Sequence, residues 1–455
     1  MGEIESQIEG ALPSPLRRSF APRLLTSQNR LNSSEQEFLM KTLKVICLAA
    51  LFSVVTSFAA QAQTILVDAD KVNCPTATFS AIQPAIDSAS PGETVRVCKG
   101  VYHEQLIISK SISVLGDPGA ELIPTAMTAN ATGATVADQI AAAIVVKNTT
   151  AAIVGGFYID GSSNGILACA PRLIGILVQD ASATIRNNAV RHFRLAPTFP
   201  GCQSGNGIEV ETTSGGSSDV VLNSNSVDDY QKNGITANET GSNVTIRSNF
   251  VSGIGPTTGA AQNGIQIGFG ATGLIESNTV ANNVWSPCVS VADCTATGTG
   301  ILIFGSNNIR VLQNNVGTNQ VGIFTNGSNT VIYGNSIFNS LVLDGIAIAS
   351  NRNKILSNEI AQSDEAGVDI QGNFNDLIAN DFLGAEFGIL IEPGSTNTLR
   401  TLNTFHATLT SVLDASATPA VALMDDSAAS VATPKAASVP SVPKINIAQR
   451  VSPSR

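Results

Sequence analysis

The sequence predicts an all-β solenoid, in which one chain winds through stacked coils and its strands line up as parallel sheets. Three observations carry this reading. A Gly-Ile strand signature recurs along the chain, and an Asn-centred signature follows it each time. The composition is also that of strands and turns: 43% hydrophobic, 13% charged, 39 Gly, one Trp and four Tyr in 455 residues. Ile and Val suit half-buried pleated strands, and Gly and Asn suit tight turns. So apolar a chain is not wholly disordered. Its formal net charge of −10, without a Lys/Arg-rich block, argues against a nucleic-acid partner.

The first signature is Gly, Ile or Val, any residue, then usually Val or Ile. It begins at Gly175, Gly207, Gly234, Gly264, Gly300, Gly322, Gly345, Gly367 and Gly388. In the C-terminal half the repeats fall about 22 residues apart, a solenoid period. Alternation sends Ile208, Ile235 and Ile265 inward and the intervening residues outward. The second signature is apolar-x-x-Asn-x-apolar. It places Asn188, Asn225, Asn249, Asn278, Asn314, Asn335, Asn358 and Asn380 at one phase of the repeat. Asn accepts left-handed turns, and stacked amides can hydrogen-bond from coil to coil. These residues are read as turn chemistry, not as ligands.

An export signal precedes the repeats. Met40 to Lys44 is a short basic region, Val45 to Ala60 is apolar, and Ala60-Gln61-Ala62 is a cleavage-site pattern. The expected organisation is a non-native or mis-called extension over 1–39, a signal peptide over 40–62, the solenoid over 63–407, and an Ala/Ser/Pro-rich tail over 408–455. The mature chain is expected to be secreted or periplasmic, with no stable membrane anchor. An oxidising compartment lets cysteines pair. Cys169 and Cys202 occupy the same loop of successive coils, Cys288 and Cys294 share a loop, and Cys74 and Cys98 bracket the N-terminal segment. The expected disulfides are Cys74–Cys98, Cys169–Cys202 and Cys288–Cys294.

From Phe79 the chain reads FSAIQPAIDSASPGETVRVCKGVYHEQLIISKSISVLG, and a second segment runs from Gly155 to Gly161 as GGFYIDG. Both resemble right-handed parallel β-helix proteins of the pectin-lyase-like superfamily. The resemblance spans roughly residues 64–405. It implies a single-stranded right-handed parallel β-helix whose first coil is capped by a short helix, here Ser80 to Ala89, before the Gly100-x-Tyr102-x-Glu104 motif.

The resemblance names several chemistries but selects none, since this fold hosts lyases, hydrolases, esterases, epimerases and non-enzymes. Ile303-Phe304-Gly305 echoes the methylesterase run without its Asp. Asp228-Asp229 echoes polygalacturonases without their G-H-G or R-I-K motifs. The D-P-H-D of alginate epimerases is absent, as is a pectate-lyase W-x-D-H segment. The three His (His103, His192, His406) are far apart in sequence, so no metal site and no cofactor is expected. The leading expectation is a β-helix that binds a glycan or cell-surface partner without catalysis. The rivals are a polysaccharide lyase, hydrolase or epimerase with an unrecognised carboxylate site, and a surface adhesin.

Long insertions fall just before the Gly strands, at 192–204, 255–262 and 284–299. Insertions on one edge of a solenoid often build its binding face. The candidate binding residues beside them are Glu209, Glu211, Asp228, Asp229, Arg247, Gln266 and Trp285. An indole, carboxylates and a guanidinium suit a sugar groove through stacking and charge-assisted hydrogen bonds. Toward the C-terminus the outward positions turn apolar: Leu302, Phe324 and Leu390 on one strand phase, Leu312, Tyr333, Leu356 and Ile378 on another. Such a stripe needs a cover, and part of 408–426 is expected to supply it, with 430–455 disordered.

Overall fold

A computed structural model describes residues 63–134 and 137–416, and these form a parallel β-helix. Each regular coil carries three strands. In one coil these are Ser182–Arg186, Ala189–Arg191 and Asn206–Glu211, and the next coil begins at Ser218–Asn223. The first strands of the coils stack into a 13-stranded sheet, the first face. The second and third strands stack into two further faces. These join at one corner because Glu359–Ile370 and Asp381–Ile391 run through it without a break. Pairing is parallel throughout, apart from the short hairpin of Ala131–Thr132 with Gln139–Lys147.

The Gly-Ile strands all lie on the third face. Ile176, Ile208, Ile235, Ile265, Ile301, Ile323, Ile346, Val368 and Ile389 align in one unbroken register and are wholly buried. The preceding Gly has a steric cause. A Cβ on Gly207 would sit 2.7 Å from the Gly234 carbonyl oxygen of the next coil. Gly234, Gly264 and Gly300 meet their following coils in the same way.

The Asn column is a continuous ladder between the first and second faces. Each side-chain amide donates to the Oδ1 of the next coil's Asn, as from Asn249 to Asn278 (3.0 Å) and from Asn278 to Asn314 (3.0 Å). The run extends from Asn188 to Asn403. The left-handed turn belongs to the residue before each ladder Asn: Asn187, Ser224, Ser248, Ser277 and Gln313 have φ between 54° and 56°. The Asn itself closes the turn with its amide.

The capping helix α1 spans Ile82–Ser88 and buries Ile82, Ala85 and Ile86 against the first coil. Its first turn is satisfied by Glu104, whose carboxylate accepts from the Ile82 and Gln83 amides at 2.7 and 2.9 Å. At its other end Lys110 Nζ donates to the carbonyls of Ile86, Asp87 and Ala89. All three expected disulfides form. The helical stack continues past residue 407, since Thr410–Asp414 pairs with Asp381–Ile391. The segments 1–39 and 40–62, and the tail from 417, lie outside the described residues. No helix among the described residues is long and apolar enough to cross a membrane.

The expected cover of the apolar stripe is corrected in one respect. Leu302 and Phe324 are wholly buried in a cluster with Cys288, Cys294 and Leu343, flanked by Trp285 and Val291. The disulfide loop, inserted between second and third faces, folds back over them. On the first face Tyr333 stays 45% exposed. Replacing both Cys288 and Cys294 with serine is therefore expected to loosen this loop and uncover Phe324. An apolar dye should bind the variant more strongly than wild type, and unchanged dye binding would show that the loop holds without its crosslink.

Candidate functional site

The sequence-derived candidates separate into two places. Glu209, Glu211 and Gln266 sit on the outer side of the third face, as alternation predicts, but all three are buried. The Arg172 guanidinium donates to both Glu209 oxygens (2.8 and 3.0 Å), to Glu211 (3.3 Å) and twice to Asp138 (2.9 and 2.8 Å). Gln179 bonds Glu211, and Asn206 bonds Glu209, each at 2.7 Å. Burial raises the Glu211 carboxyl to about 8, and Glu209 adds to the shift. Gln266 is bonded between Asn233 and Asn238. These groups knit coils together and present no open face. Trp285 is likewise turned into the loops: its indole N–H donates to the Gly259 carbonyl at 3.0 Å. Arg247 is exposed but lies on the first face, in register with Asn223 and Glu276.

Asp228 and Asp229 have a different setting. Asp228 ends a second-face strand whose register runs Asp160, Arg191, Asp228, Ser252, and Asp229 follows it. Arg191 Nε meets Asp228 at 2.6 Å, and Arg194 Nε meets Asp229 at 3.0 Å. His192 stands between two carboxylates, with Nδ1 2.9 Å from Asp160 and Nε2 3.3 Å from Asp229. The Tyr158 hydroxyl donates to the same Asp160 oxygen at 3.0 Å.

The two carboxylates that flank His192 are pushed in opposite directions. Burial works against ionisation of Asp160, but hydrogen bonds from Ser162, His192 and Tyr158 hold it below the ordinary range. Burial wins at Asp229 and raises it, with Arg194 and His192 opposing. Two neighbouring acids held apart in this way are a common basis for acid and base roles.

The cluster opens into a groove of about 520 Å³ lined by Asn164, Leu167, His192, Arg194, Pro200 and Ile254, among others. A second hollow continues it over Arg191, Asp228, Asp229, Phe250 and Ser252. Its walls are the insertions at 192–204 and 255–262, and the Cys169–Cys202 bridge anchors the first of them. Sequence reasoning found Asp228 and Asp229 and the insertions. It missed Asp160, His192 and Arg194, although the Gly155 to Gly161 segment and the first insertion contain them. Among the described residues, the one group with metal-ligand spacing is Cys74, Cys98 and Asp117, whose two sulfurs are joined in a disulfide.

A family model described as a right-handed β-helix region matches residues 257–405. The chain is a right-handed parallel β-helix protein. Solved β-helix structures bear this out at the level of fold. The A-module of mannuronan C-5 epimerase AlgE6 from Azotobacter vinelandii is 14% identical, with a TM-score of 0.56 over 74% of this chain and 94% of that one. PfbA, a surface adhesin of Streptococcus pneumoniae, is 13% identical, with a TM-score of 0.51 over 76% and 91%. No curated protein matches this β-helix protein in sequence.

Proposed function

We propose that this β-helix protein is exported and binds a glycan in the second-face groove around His192. The observation that carries the reading is the groove itself. Arg191, His192 and Arg194 stand among Asp160, Asp228 and Asp229, in a cleft with an apolar lip of Leu167, Phe250 and Ile254. Partly exposed ion pairs offer directed hydrogen bonds to hydroxyl and carboxylate groups, and an exposed aromatic ring offers a stacking face. The fold shared with a polysaccharide epimerase and an adhesin agrees with this reading.

A glycan array spanning acidic and neutral polysaccharides is the test. Wild type is expected to bind at least one class, and His192→Ala to lose that binding with its thermal midpoint nearly unchanged. A variant that binds as wild type does would move the site elsewhere. A second reading, a polysaccharide lyase, hydrolase or epimerase, is favoured by one observation. Tyr158, Asp160, His192 and Asp229 form a connected acid-base set open to the groove. Product analysis of the bound polymer separates the two, since turnover abolished by Asp229→Asn would make the groove catalytic.

A further inference from the structure

We propose that the groove continues along the coil axis to an aromatic platform at Phe338, so that the protein grips a long linear polysaccharide more tightly than a short oligosaccharide. This rests on the glycan-binding reading above. The floor of the groove is a single register of outward positions on the second face. It runs Asp160, Arg191, Asp228, Ser252, Ala281, Gly317, Phe338. Past the charged end, every position up to Phe338 is small. Phe250, 47% exposed, stands at one side of the Ser252 step.

Phe338 is held in an unusual posture. A Cβ added to Gly317 would run into its ring, so the ring lies down across the Gly317 backbone of the preceding coil. It keeps 37% of its surface exposed there, and it is followed in register by Ala361. An aromatic ring laid flat on a sheet presents its face outward, which is the geometry that stacks on the apolar C–H face of a sugar. Burying it in a core would need an inward position, and this one is outward by the same alternation that sends Ile337 inside. From Asp228 to Phe338 is four coil steps, about 19 Å at roughly 4.8 Å each. A sugar ring advances along its polymer about as far as one coil advances along the axis. An oligosaccharide seated at Asp228 must therefore be several units long to reach the ring, and a short one stops on the small-residue floor.

Oligogalacturonates and oligomannuronates from dimers to decamers are the probes, titrated against wild type, Phe338→Ala, Gly317→Ala and Phe338→Trp. Wild-type affinity is expected to climb about tenfold once the chain is long enough to reach the platform, the scale of one aromatic contact. Phe338→Ala should bind short oligomers as wild type does and show no climb. Gly317→Ala should behave alike, because its new methyl group displaces the ring without removing it. Phe338→Trp should keep the climb. If Phe338→Ala climbs as wild type does while His192→Ala still loses binding, the platform is overturned and the groove stands. If wild type binds these oligomers with no climb in affinity at any length, the platform is likewise overturned and the groove stands.

Discussion

Arg172→Met is expected to destabilise the chain by about 3–5 kcal/mol, the range for removing one partner from a buried ionic cluster. The guanidinium is the single cation hydrogen-bonded to Asp138, Glu209 and Glu211 among the described residues. Without it, buried carboxylates are left to protonate or to disrupt the coils. The effect should therefore be largest in alkaline buffer and should shrink as the pH falls. Wild type carries a milder version of the same dependence. Glu211 is raised from 4.5 to about 8, chiefly by burial. A group bound more tightly to its proton when folded contributes stability that is complete below about pH 4.5 and is lost as the pH rises through about 8. The slope from one such proton is at most about 1.4 kcal/mol per pH unit. Urea unfolding across this range should show the decline in wild type and a flatter profile in Glu211→Gln. An identical profile in both would mean that Glu211 does not hold its proton in the fold.

Asn278→Ala is expected to cost roughly 3 kcal/mol or more, an unusually large loss for a residue in a turn. Its Oδ1 accepts from the backbone and the side chain of Asn249, at 2.9 and 3.0 Å, and its own amide donates to Ile246 and Asn314. Truncation takes from the buried Asn249 backbone N–H its acceptor, while the Asn249 side-chain amide keeps the Leu222 and Arg247 carbonyls, and it also removes the bonds to Ile246 and Asn314. Each orphaned group carries a desolvation cost of about 1–3 kcal/mol. Neighbouring coils should feel the loss, because a solenoid transmits stability only through adjacent repeats. Hydrogen exchange should therefore quicken first in the coils of Asn249 and Asn314. Uniform quickening along the whole chain would show that the stack unfolds as one unit.

The architecture was legible because it is periodic. Gly207, Ile208 and Asn225 each recur at a fixed phase, so one coil read correctly gives all the others. The disulfides followed from the same phase, since Cys169 and Cys202 precede equivalent Gly strands. The groove was only half legible. Asp228 and Asp229 are adjacent in sequence and were visible as a pair. Asp160, His192 and Arg194 come from an earlier coil and an insertion, and nothing in the local pattern says that they converge. Arg172 was invisible for the same reason, since its bond to Glu209 spans 37 residues. Alternation marked Glu209 as outward, and outward was taken to mean accessible. On a helix with folded-back loops the two differ, as Leu302 and Phe324 show under the Cys288–Cys294 loop.

The Asn ladder also bears on how such a chain can change its length. Every rung offers the same amide above and accepts the same amide below, so neither partner depends on which coil it belongs to. The same holds for each Gly, which makes room for any following carbonyl. A tandem duplication of residues 322–344, for instance, would bring one column Gly (Gly322), one ladder Asn (Asn335) and three strands with it, and would join the stack at both ends without a new kind of contact. An insertion of half a coil would set an Ile strand against the wrong face and break both columns. Genes for this architecture are thus free to lengthen or shorten in whole coils. Within the groove that freedom is limited, because adding a coil between Asp228 and Phe338 would alter the distance that a bound polymer must span.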